Sequence, residues 1–319
     1  MSLFLVTGGA GFIGSNIAEE LLRRGENVRI LDNFSTGKRE NVSDIKNIFK
    51  SDNNGAALDK LELVEGDLRS YHIVREAVEG VDFILHQAAL PSVPRSVKDP
   101  ITSNEVNVMG TLNILNAAKD AGVKRIVYAS SSSIYGDLEV SPKTEDMLPK
   151  PLSPYAVSKL AGEKYCQVFT KLYGLETVAL RYFNVFGPRQ DPNSQYSAVI
   201  PKFIKMIKNG ESPIIYGDGE QSRDFTFVKN VVDANLLACG DGLEQLSGEV
   251  FNVASGKRVT INDLVENINK LTKSDVKPLY EKPRPGDVKH SLANIGKARQ
   301  FLGYGATVDF YAGLKTLVD

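Results

Sequence analysis

Three glycines that follow a short apolar run constrain this chain more than any other feature of its sequence. The apolar run covers residues 3–7, and a helical pattern of apolar residues follows over 13–24. A strand, a glycine turn and a helix in this order are typical of the first unit of a dinucleotide-binding fold, with the pyrophosphate at the helix N-terminus. An ordinary glycine-rich turn is the alternative. The residues that we assign to this cofactor turn are Gly8, Gly11, Phe12, Ile13 and Gly14.

Short strand-like runs alternate with helical patterns through the first half of the chain. Further buried-strand candidates lie at 28–31, 61–64, 83–85, 125–129 and 177–180, and the longer helical stretches lie at 101–121 and 154–173. Such alternation favours a parallel sheet with helices on both faces. We therefore predict an α/β fold with a doubly wound parallel sheet (Rossmann) and a smaller mixed α/β substrate domain.

The sequence pattern changes after Arg181: prolines become frequent, and predicted strands and helices alternate less regularly. We predict a cofactor-binding domain over 1–180 and a smaller domain over 181–319. Residues 224–228 and 250–253 are candidates for extra strands that return to the first domain. Residues 51–55, Ser-Asp-Asn-Asn-Gly, are typical of a solvated loop before the third strand.

Composition excludes several classes of function. The chain has 319 residues, and 38 basic residues balance 39 acidic ones, so no net positive field indicates nucleic acid or a membrane surface. No apolar run approaches the roughly 20 residues that span a bilayer, and no charged leader precedes the first strand, which favours a cytoplasmic protein. Cys166 and Cys239 are isolated, which favours reduced thiols. His72, His86 and His290 are scattered, with His86 predicted at a strand end, and we predict no metal site.

An aspartate at the end of the second strand candidate indicates the choice of cofactor. Asp32 lies about twenty residues after the glycines, where a carboxylate accepts both ribose hydroxyls and repels a 2′-phosphate. Lys38 and Arg39 would suit a phosphorylated cofactor, yet they lie beyond Gly37, and we predict NAD. Asp67 and Leu68 are candidates for an adenine contact, with a surface turn as the alternative.

Tyr155 and Lys159 lie one helical turn apart, on the same face of the predicted helix at 154–173. A free phenol has a pKa of roughly 10, and lowering it to about 7 takes about 4 kcal/mol of preferential stabilisation of the phenolate. The Lys159 ammonium and a positively charged nicotinamide ring could supply it. The alternatives are a packing tyrosine and a solvated lysine. We interpret the pair, with Ser131 upstream, as a proton-transfer device.

The ordered set of motifs resembles the extended short-chain dehydrogenase/reductase family over essentially the whole chain. The set comprises Gly-x-x-Gly-x-x-Gly, His86-Gln-Ala-Ala89, Ser-Ser-Ser-Ile-Tyr-Gly136 and Tyr-x-x-x-Lys. The resemblance implies catalytic roles for Ser131, Ser132, Tyr155 and Lys159. It also implies cofactor contacts by Asn33, Ser35, Gly37, Gln87, Ala88, Ala89, Asn107, Tyr155, Lys159, Tyr182 and Val185.

Two serines separate this chain from the dehydratases and decarboxylases of that family. The sugar-nucleotide 4,6-dehydratases have an Asp-Glu pair just after the catalytic Ser or Thr, whereas this chain has Ser132 and Ser133. Without a carboxylate to take the C5 proton, elimination of water is disfavoured. The resemblance therefore indicates the UDP-hexose and UDP-N-acetylglucosamine 4-epimerases, which oxidise C4 reversibly through a 4-keto sugar.

The second half of the chain resembles the substrate segments of those epimerases. Asn184 matches a residue that contacts the diphosphate, and Gln221-Ser-Arg-Asp-Phe225 and Arg284-Pro-Gly-Asp287 resemble the segments whose arginines bind it. Ser291 stands where a bulky tyrosine closes the sugar pocket of epimerases restricted to plain hexoses, while Pro91 replaces a glycine of some N-acetyl-accepting ones. The substrate contacts implied are Ser131, Ser132, Tyr155, Asn184, Gln190, Ala198, Val199, Phe203, Ile215, Tyr216, Arg223, Arg284, Asp287 and Ser291.

We therefore expect NAD-dependent 4-epimerisation of UDP-hexoses, with acceptance of N-acetylated sugars. The alternatives are a UDP-glucuronate 4-epimerase, a net-redox sugar-nucleotide reductase or dehydrogenase, and a regulatory module that only binds NAD. The helices at 101–121 and 154–173 could pair across a two-fold axis, so the resemblance also implies a homodimer through a four-helix bundle. Their apolar positions could instead face only the internal sheet.

Overall fold

The structure is a computed structural model that describes residues 1–52, 55–138, 140–192, 199–240, 242–283 and 289–318. The strands of this part of the chain are β1 (Leu3–Thr7), β2 (Asn27–Asp32), β3 (Leu61–Glu65), β4 (Phe83–His86), β5 (Arg125–Ser131), β6 (Glu176–Tyr182), β7 (Val185–Phe186), β8 (Ile214–Tyr216), β9 (Ser222–Arg223), β10 (Thr226–Phe227), β11 (Glu249–Val253), β12 (Val259–Thr260) and β13 (Leu279–Glu281).

The α-helices alternate with these strands through the first half of the chain. They are α1 (Phe12–Arg23), α2 (Arg39–Ser51), α3 (Tyr71–Val78), α4 (Val93–Lys98), α5 (Pro100–Asn104), α6 (Gly110–Ala121), α7 (Pro154–Tyr173), α8 (Val199–Lys208), α9 (Val228–Leu237), α10 (Ile261–Thr272), α11 (Gly296–Leu302) and α12 (Phe310–Val318).

Seven parallel strands form the large sheet in the order β11-β6-β5-β4-β1-β2-β3, which confirms the predicted doubly wound fold. The chain runs outward from β1 to β3 and then crosses back to β4 on the other side of β1. This change of direction leaves a crevice at the carboxyl ends of β1 and β4, the usual ligand site of such sheets.

Both faces of this sheet are apolar, because each strand contributes alternate residues to opposite sides. In β1, Val6 belongs to one core cluster and Leu5 to the cluster on the other face; in β2, Ile30 and Leu31 divide in the same way. Helices cover both clusters, which is why the strand sequences are nearly continuous apolar runs. This packing leaves the polar residues at the strand ends as the ones that face the crevice.

The later part of the chain forms a third core cluster, which includes Phe186, Phe203, Ile215 and Leu264 and lies among small sheets. Each small sheet has two strands, and the pairs are β7 with β10, β9 with β12 and β8 with β13. Strand β11 returns to the large sheet beside β6, whereas residues 224–228 contribute only β10, which pairs with β7. The division into domains at residues 180 and 181 stays a prediction.

Two expected elements differ in detail. The stretch 101–121 contains a π-helical segment, Glu105–Met109, between α5 and α6, and such segments are frequent at functional sites. Of the expected loop at 51–55, Asn53 and Asn54 lie outside the described residues, while Ser51 ends α2 and Gly55 begins a 3₁₀ turn. Within the described ranges, no helix combines the length and apolar character needed to cross a bilayer.

Candidate active site

The glycine turn between β1 and α1 leaves no room for side chains. Gly8 has φ +67, and a Cβ there would lie 2.8 Å from the Ala88 Cα; a Cβ on Gly14 would lie 2.2 Å from the Gly8 carbonyl oxygen. Gly11 precedes α1 without a side-chain cap, so the backbone N–H groups of the first turn are available to an anion. This geometry fits a pyrophosphate.

Asp32 ends β2 next to this turn, and the backbone holds its carboxylate in place. Its two oxygens accept hydrogen bonds from the N–H groups of Ala10 (2.9 Å) and Phe34 (2.8 Å). Burial raises the pKa of the carboxyl group, and these two bonds oppose that effect. Gly37 packs against the same carboxylate, since its Cβ would lie 2.8 Å from either oxygen. The remaining lone pairs of Asp32 suit the two hydroxyls of a ribose.

Lys38 and Arg39, the cations that left the choice of cofactor open, have acidic partners. Lys38 Nζ lies 3.2 Å from an oxygen of Asp191. Arg39 Nη2 lies 2.7 Å from Glu65 Oε1, and its guanidinium stacks 4.1 Å from the centre of the Phe34 ring. These contacts favour an unphosphorylated ribose beside Asp32.

Asp67 lines the crevice beside Asn33, and its contact with an adenine stays a prediction. Its carboxylate accepts from Asn33 Nδ2 (2.8 Å) and pairs with Arg69 Nη2 (2.8 Å). The Arg69 guanidinium lowers the pKa of Asp67 to about 2, so the group stays ionised. An anionic acceptor held in this way can bind an amino or hydroxyl group of an adenosine.

The crevice is a cleft of about 680 Å³ that brings most of the predicted cofactor residues together. The predicted cofactor residues that line it are Gly8, Gly11, Phe12, Ile13, Gly14, Asp32, Asn33, Ser35, Asp67, Leu68, Gln87, Ala88, Ala89, Tyr155, Lys159 and Tyr182. Gly37 lies behind Asp32, and Val185 lies in β7. Asn107, in the π-helical segment, binds the Leu90 N–H (2.7 Å) and Ser158 Oγ (3.0 Å), so it shapes the wall of the cleft from behind.

Local capping signals place Tyr155 and Lys159 in this cleft. Ser153 accepts a hydrogen bond from the Ala156 N–H and Pro154 follows it, so α7 begins here with Tyr155 in its first turn. The Tyr155 N–H donates to Ser96 Oγ (3.0 Å), which fixes the start of the helix against α4. Lys159 follows one turn later and is buried with the cleft on one side.

The electrostatics of the pair differ from the sequence prediction. Burial raises the pKa of Tyr155, and a hydrogen bond with Ser131 only partly opposes it. The Lys159 ammonium donates to the Ala129 carbonyl oxygen (2.9 Å) and lies 5.2 Å from the centre of the Tyr128 ring. Burial lowers the pKa of Lys159 to about 8. The interior therefore disfavours both charges, and the expected lowering of the phenol pKa by Lys159 does not dominate.

Ser132 and Ser133 form a 3₁₀ turn directly after β5. The Ser133 N–H donates to Ser131 Oγ (3.2 Å), which orients that hydroxyl, and Ser133 Oγ is buried without a partner among the described residues. The turn therefore places neutral hydroxyls where a dehydratase needs carboxylates.

The predicted substrate residues that the structure describes do not all lie at one site. Gln190 lines the cleft, while Asn184, Arg223 and Ser291 lie in one hydrogen-bonded cluster around Ser222 and Asp224. By contrast, Phe203 and Ile215 are buried in the third core cluster with Val199 packed against it, and Tyr216 ends β8. Ala198, Arg284 and Asp287 lie outside the described residues.

Sequence reasoning missed two side chains of the site, one behind the cleft and one in its lining. Asn235 of α9 accepts from Gln87 Nε2 (3.0 Å) and donates to the Tyr182 hydroxyl (2.7 Å), so it fixes two residues of the cleft. Asp191 lines the cleft and pairs with Lys38. No sequence signal relates Asn235 to Gln87, because 148 positions separate them.

Comparison with known proteins agrees with this geometry. Residues 4–254 match the NAD dependent epimerase/dehydratase family. A UDP-N-acetylglucosamine 4-epimerase from Methanobrevibacter ruminantium M1, solved with UDP-N-acetylmuramic acid, is 43% identical with a TM-score of 0.90, over 99% of this chain and 97% of that one. A UDP-glucose 4-epimerase from Thermus thermophilus, solved with NAD, is 36% identical with a TM-score of 0.85, over 99% and 98%. A UDP-glucose 4-epimerase of Mycolicibacterium smegmatis is 37% identical over 99% and 97% of the two chains.

Proposed function

Because this chain belongs to the NAD dependent epimerase/dehydratase family, we propose that it interconverts UDP-hexoses that differ in configuration at C4 and accepts N-acetylated ones. The observation that supports this most is Tyr155 beside Ser131 in the cofactor cleft, followed by serines at 132 and 133. That set moves a proton on and off one hydroxyl group and offers no acid-base pair for elimination.

The cofactor is NAD, as in the family to which the chain belongs. The chemistry that NAD would supply here is acceptance of hydride from C4 of the sugar and its return to the opposite face of the 4-keto sugar. The glycine turn and the N-terminus of α1 would hold the pyrophosphate, and Asp32 would accept hydrogen bonds from the ribose hydroxyls. The Lys159 ammonium, which lines the same cleft, would donate to the second ribose of the cofactor.

Tyr155 takes the proton of the C4 hydroxyl in the first half-reaction and returns it in the second. Ser131, with Ser132 beside it, holds the same oxygen atom by hydrogen bonds. Since burial raises the pKa of Tyr155, the proton is released only where positive charge develops next to the phenol. Lys159, with a pKa lowered to about 8, is largely protonated at neutral pH and contributes to that charge.

The cluster around Ser222 and Asp224 holds the UDP part of the substrate while the 4-keto hexose rotates to present its other face. Asn184, Arg223 and Arg284 bind the diphosphate, and Asp287 belongs to the same segment as Arg284. A guanidinium binds phosphate oxygens in pairs, which fixes the nucleotide but not the sugar. The uridine contacts by Ala198, Val199, Phe203, Ile215 and Tyr216 stay predictions, and the burial of Phe203 and Ile215 favours a supporting role behind the base.

Turnover of UDP-GlcNAc tests this function directly. We expect purified enzyme to form the C4 epimer of UDP-GlcNAc, and also of UDP-Glc, without net change in the reduced-nicotinamide absorbance. UDP-glucuronate serves as a third substrate in the same assay. Stoichiometric NADH formation would assign a net-redox enzyme instead, and absence of every C4 epimer would refute the proposal.

Ser291 should set the acceptance of the N-acetyl group. We expect Ser291→Tyr to lower kcat/KM for UDP-GlcNAc by about tenfold or more, because loss of room at C2 costs at least about 1.4 kcal/mol, while UDP-Glc turnover persists. Ser43→Tyr, at an exposed position of α2, is the matched control and should change neither activity. An equal loss with both sugars would contradict this role of Ser291.

We further propose that the chain forms a homodimer through a four-helix bundle. Ile101 of α5 is 73% exposed, and Val157 and Leu172 on one face of α7 are 52% and 65% exposed, so these apolar side chains face away from the sheet. An exposed apolar face of this kind indicates an interface. We expect a dimer by light scattering and a monomer for Ile101→Glu with Leu172→Glu; Leu279→Glu, at an exposed position of β13, should leave the mass unchanged. A monomeric native chain would refute the proposal.

A further inference from the structure

Asp224 is a fully buried carboxylate that follows Arg223 directly in the chain. Its Oδ1 accepts from the Ser255 N–H (2.9 Å) and the Ser255 hydroxyl (2.6 Å), and its Oδ2 accepts from the N–H groups of Gly256 (3.1 Å) and Ala293 (3.2 Å). All four donors are neutral, and they come from two segments that are distant from Asp224 in sequence. Burial raises the pKa of Asp224, and these four hydrogen bonds oppose that rise because they stabilise the charged carboxylate.

The Asp224 carboxylate and the backbone of residues 224–226 together connect the chain segments that contain three predicted substrate residues. The Asp224 carbonyl oxygen accepts from Asn184 Nδ2 (3.4 Å), and the Thr226 N–H donates to the Asn184 carbonyl oxygen (3.2 Å). On the other side, Ala293 lies two residues after Ser291, whose N–H donates to the Ser222 carbonyl oxygen (3.0 Å). Asp224 therefore lies between the segment of Asn184 and the segment of Ser291, next to Arg223.

Asp224 lies between two small sheets, so the hydrogen bonds of its carboxylate determine how the segments on either side are placed. Strand β9 ends at Arg223 and pairs with β12, while β10 begins at Thr226 and pairs with β7. Strands β9 and β10 have only two residues each, so few ladder bonds determine where Arg223 and Ser291 lie relative to Asn184. The carboxylate of Asp224 supplies four further bonds at this junction.

We propose that Asp224 is a positioning residue that sets the geometry of the UDP-sugar site by holding the Arg223, Asn184 and Ser291 segments together; this inference rests on the proposed function. Asp224 itself does not touch the substrate, because its side chain is buried beneath these segments. It acts on the binding of the UDP-sugar and leaves the cofactor cleft and the Tyr155 chemistry unchanged.

Asp224→Asn tests this inference with a side chain of the same shape. An amide has one acceptor oxygen, so its NH₂ group would face either the Ser255 pair or the N–H groups of Gly256 and Ala293. We expect KM for the UDP-sugar and the Kd for UDP, measured by calorimetry, to rise about tenfold or more. The Kd for NAD should stay within about twofold and kcat within about threefold of the native values.

Asp309→Asn is the matched control, because Asp309 also accepts a backbone N–H (Ala312, 2.8 Å) but lies at the start of α12. Because asparagine caps a helix about as well as aspartate, this variant should change neither KM nor the Kd for UDP. Should Asp224→Asn fail to fold, Ser255→Ala removes one donor to Oδ1 and should raise the Kd for UDP about two- to threefold. An unchanged Kd for UDP in the folded variant would overturn the inference.

Failure of the proposed function is distinguishable from failure of this inference. If the native enzyme epimerises no UDP-hexose, the proposed function is refuted, while the Kd for UDP still tests Asp224. If the native enzyme is an active epimerase and Asp224→Asn changes kcat but not KM, the role assigned to Asp224 is wrong.

Discussion

We expect replacement of Tyr155 by phenylalanine to lower kcat of epimerisation by roughly 10²- to 10⁴-fold, the usual contribution of a positioned acid-base group. The hydroxyl lies in the cleft with Ser131 as its hydrogen-bond partner, and no carboxylate follows at 132 or 133 to replace it. The ring fills the same space in the variant, so folding and cofactor binding should persist. Kinetics with UDP-GlcNAc and UDP-Glc, with bound NAD measured in parallel, provide the readout.

Tyr173→Phe is the matched control for this variant. Tyr173 ends the same helix, α7, and is exposed, with its ring packed edge-on against Phe169. Loss of its hydroxyl should leave kcat unchanged. A Tyr155→Phe enzyme that retains native activity would show that another group transfers the proton, and a loss of NAD together with activity would indicate a structural role.

Gly14→Ala is expected to abolish tight binding of NAD. A Cβ at this position would lie 2.2 Å from the Gly8 carbonyl oxygen and 2.9 Å from the Gly9 Cα, and these are backbone atoms of the turn that holds the pyrophosphate. The turn has to open to accept one methyl group, which should destabilise the fold by about 1–3 kcal/mol and raise the Kd for NAD by about tenfold or more. Denaturant unfolding and a cofactor titration measure the two effects.

Gly305→Ala is the control for this substitution. A Cβ on Gly305 would meet no atom within 4 Å, so the added methyl group should change neither stability nor cofactor binding. A Gly14→Ala protein that binds NAD with native affinity would contradict the assignment of this turn to the pyrophosphate.

Local signals in the sequence were sufficient for the elements of the large sheet. The predicted strand at 3–7 and helix at 154–173 coincide with β1 and α7, because a short apolar run, a Ser-Pro start and a terminal Gly174 act within a few residues. The π-helical segment Glu105–Met109 was missed, since nothing in its own residues distinguishes it from the helix around it. The small sheets were also missed, because their strands are too short for a periodic pattern.

For the candidate site, too, the sequence predicted some features and only the structure showed the others. Motif order brought the glycine turn, Asp32, Tyr155 and Lys159 to one predicted site, and the structure places all of them in one cleft. The sequence did not determine the charge state of the tyrosine, because that depends on burial, which raises its pKa. The contacts of Lys38 with Asp191 and of Lys159 with the Ala129 carbonyl oxygen were equally inaccessible.

The sequence by itself therefore determined the parallel sheet, the dinucleotide turn and the family, since each depends on residue types at short, ordered spacings. Only the tertiary structure showed which side chains hold the residues of the cleft and of the predicted substrate site in place. Asn235 meets Gln87 across 148 positions, and Asp224 meets Ala293 across 69. Contacts between such distant residues form only when separate elements pack together, so local sequence periodicity does not predict them.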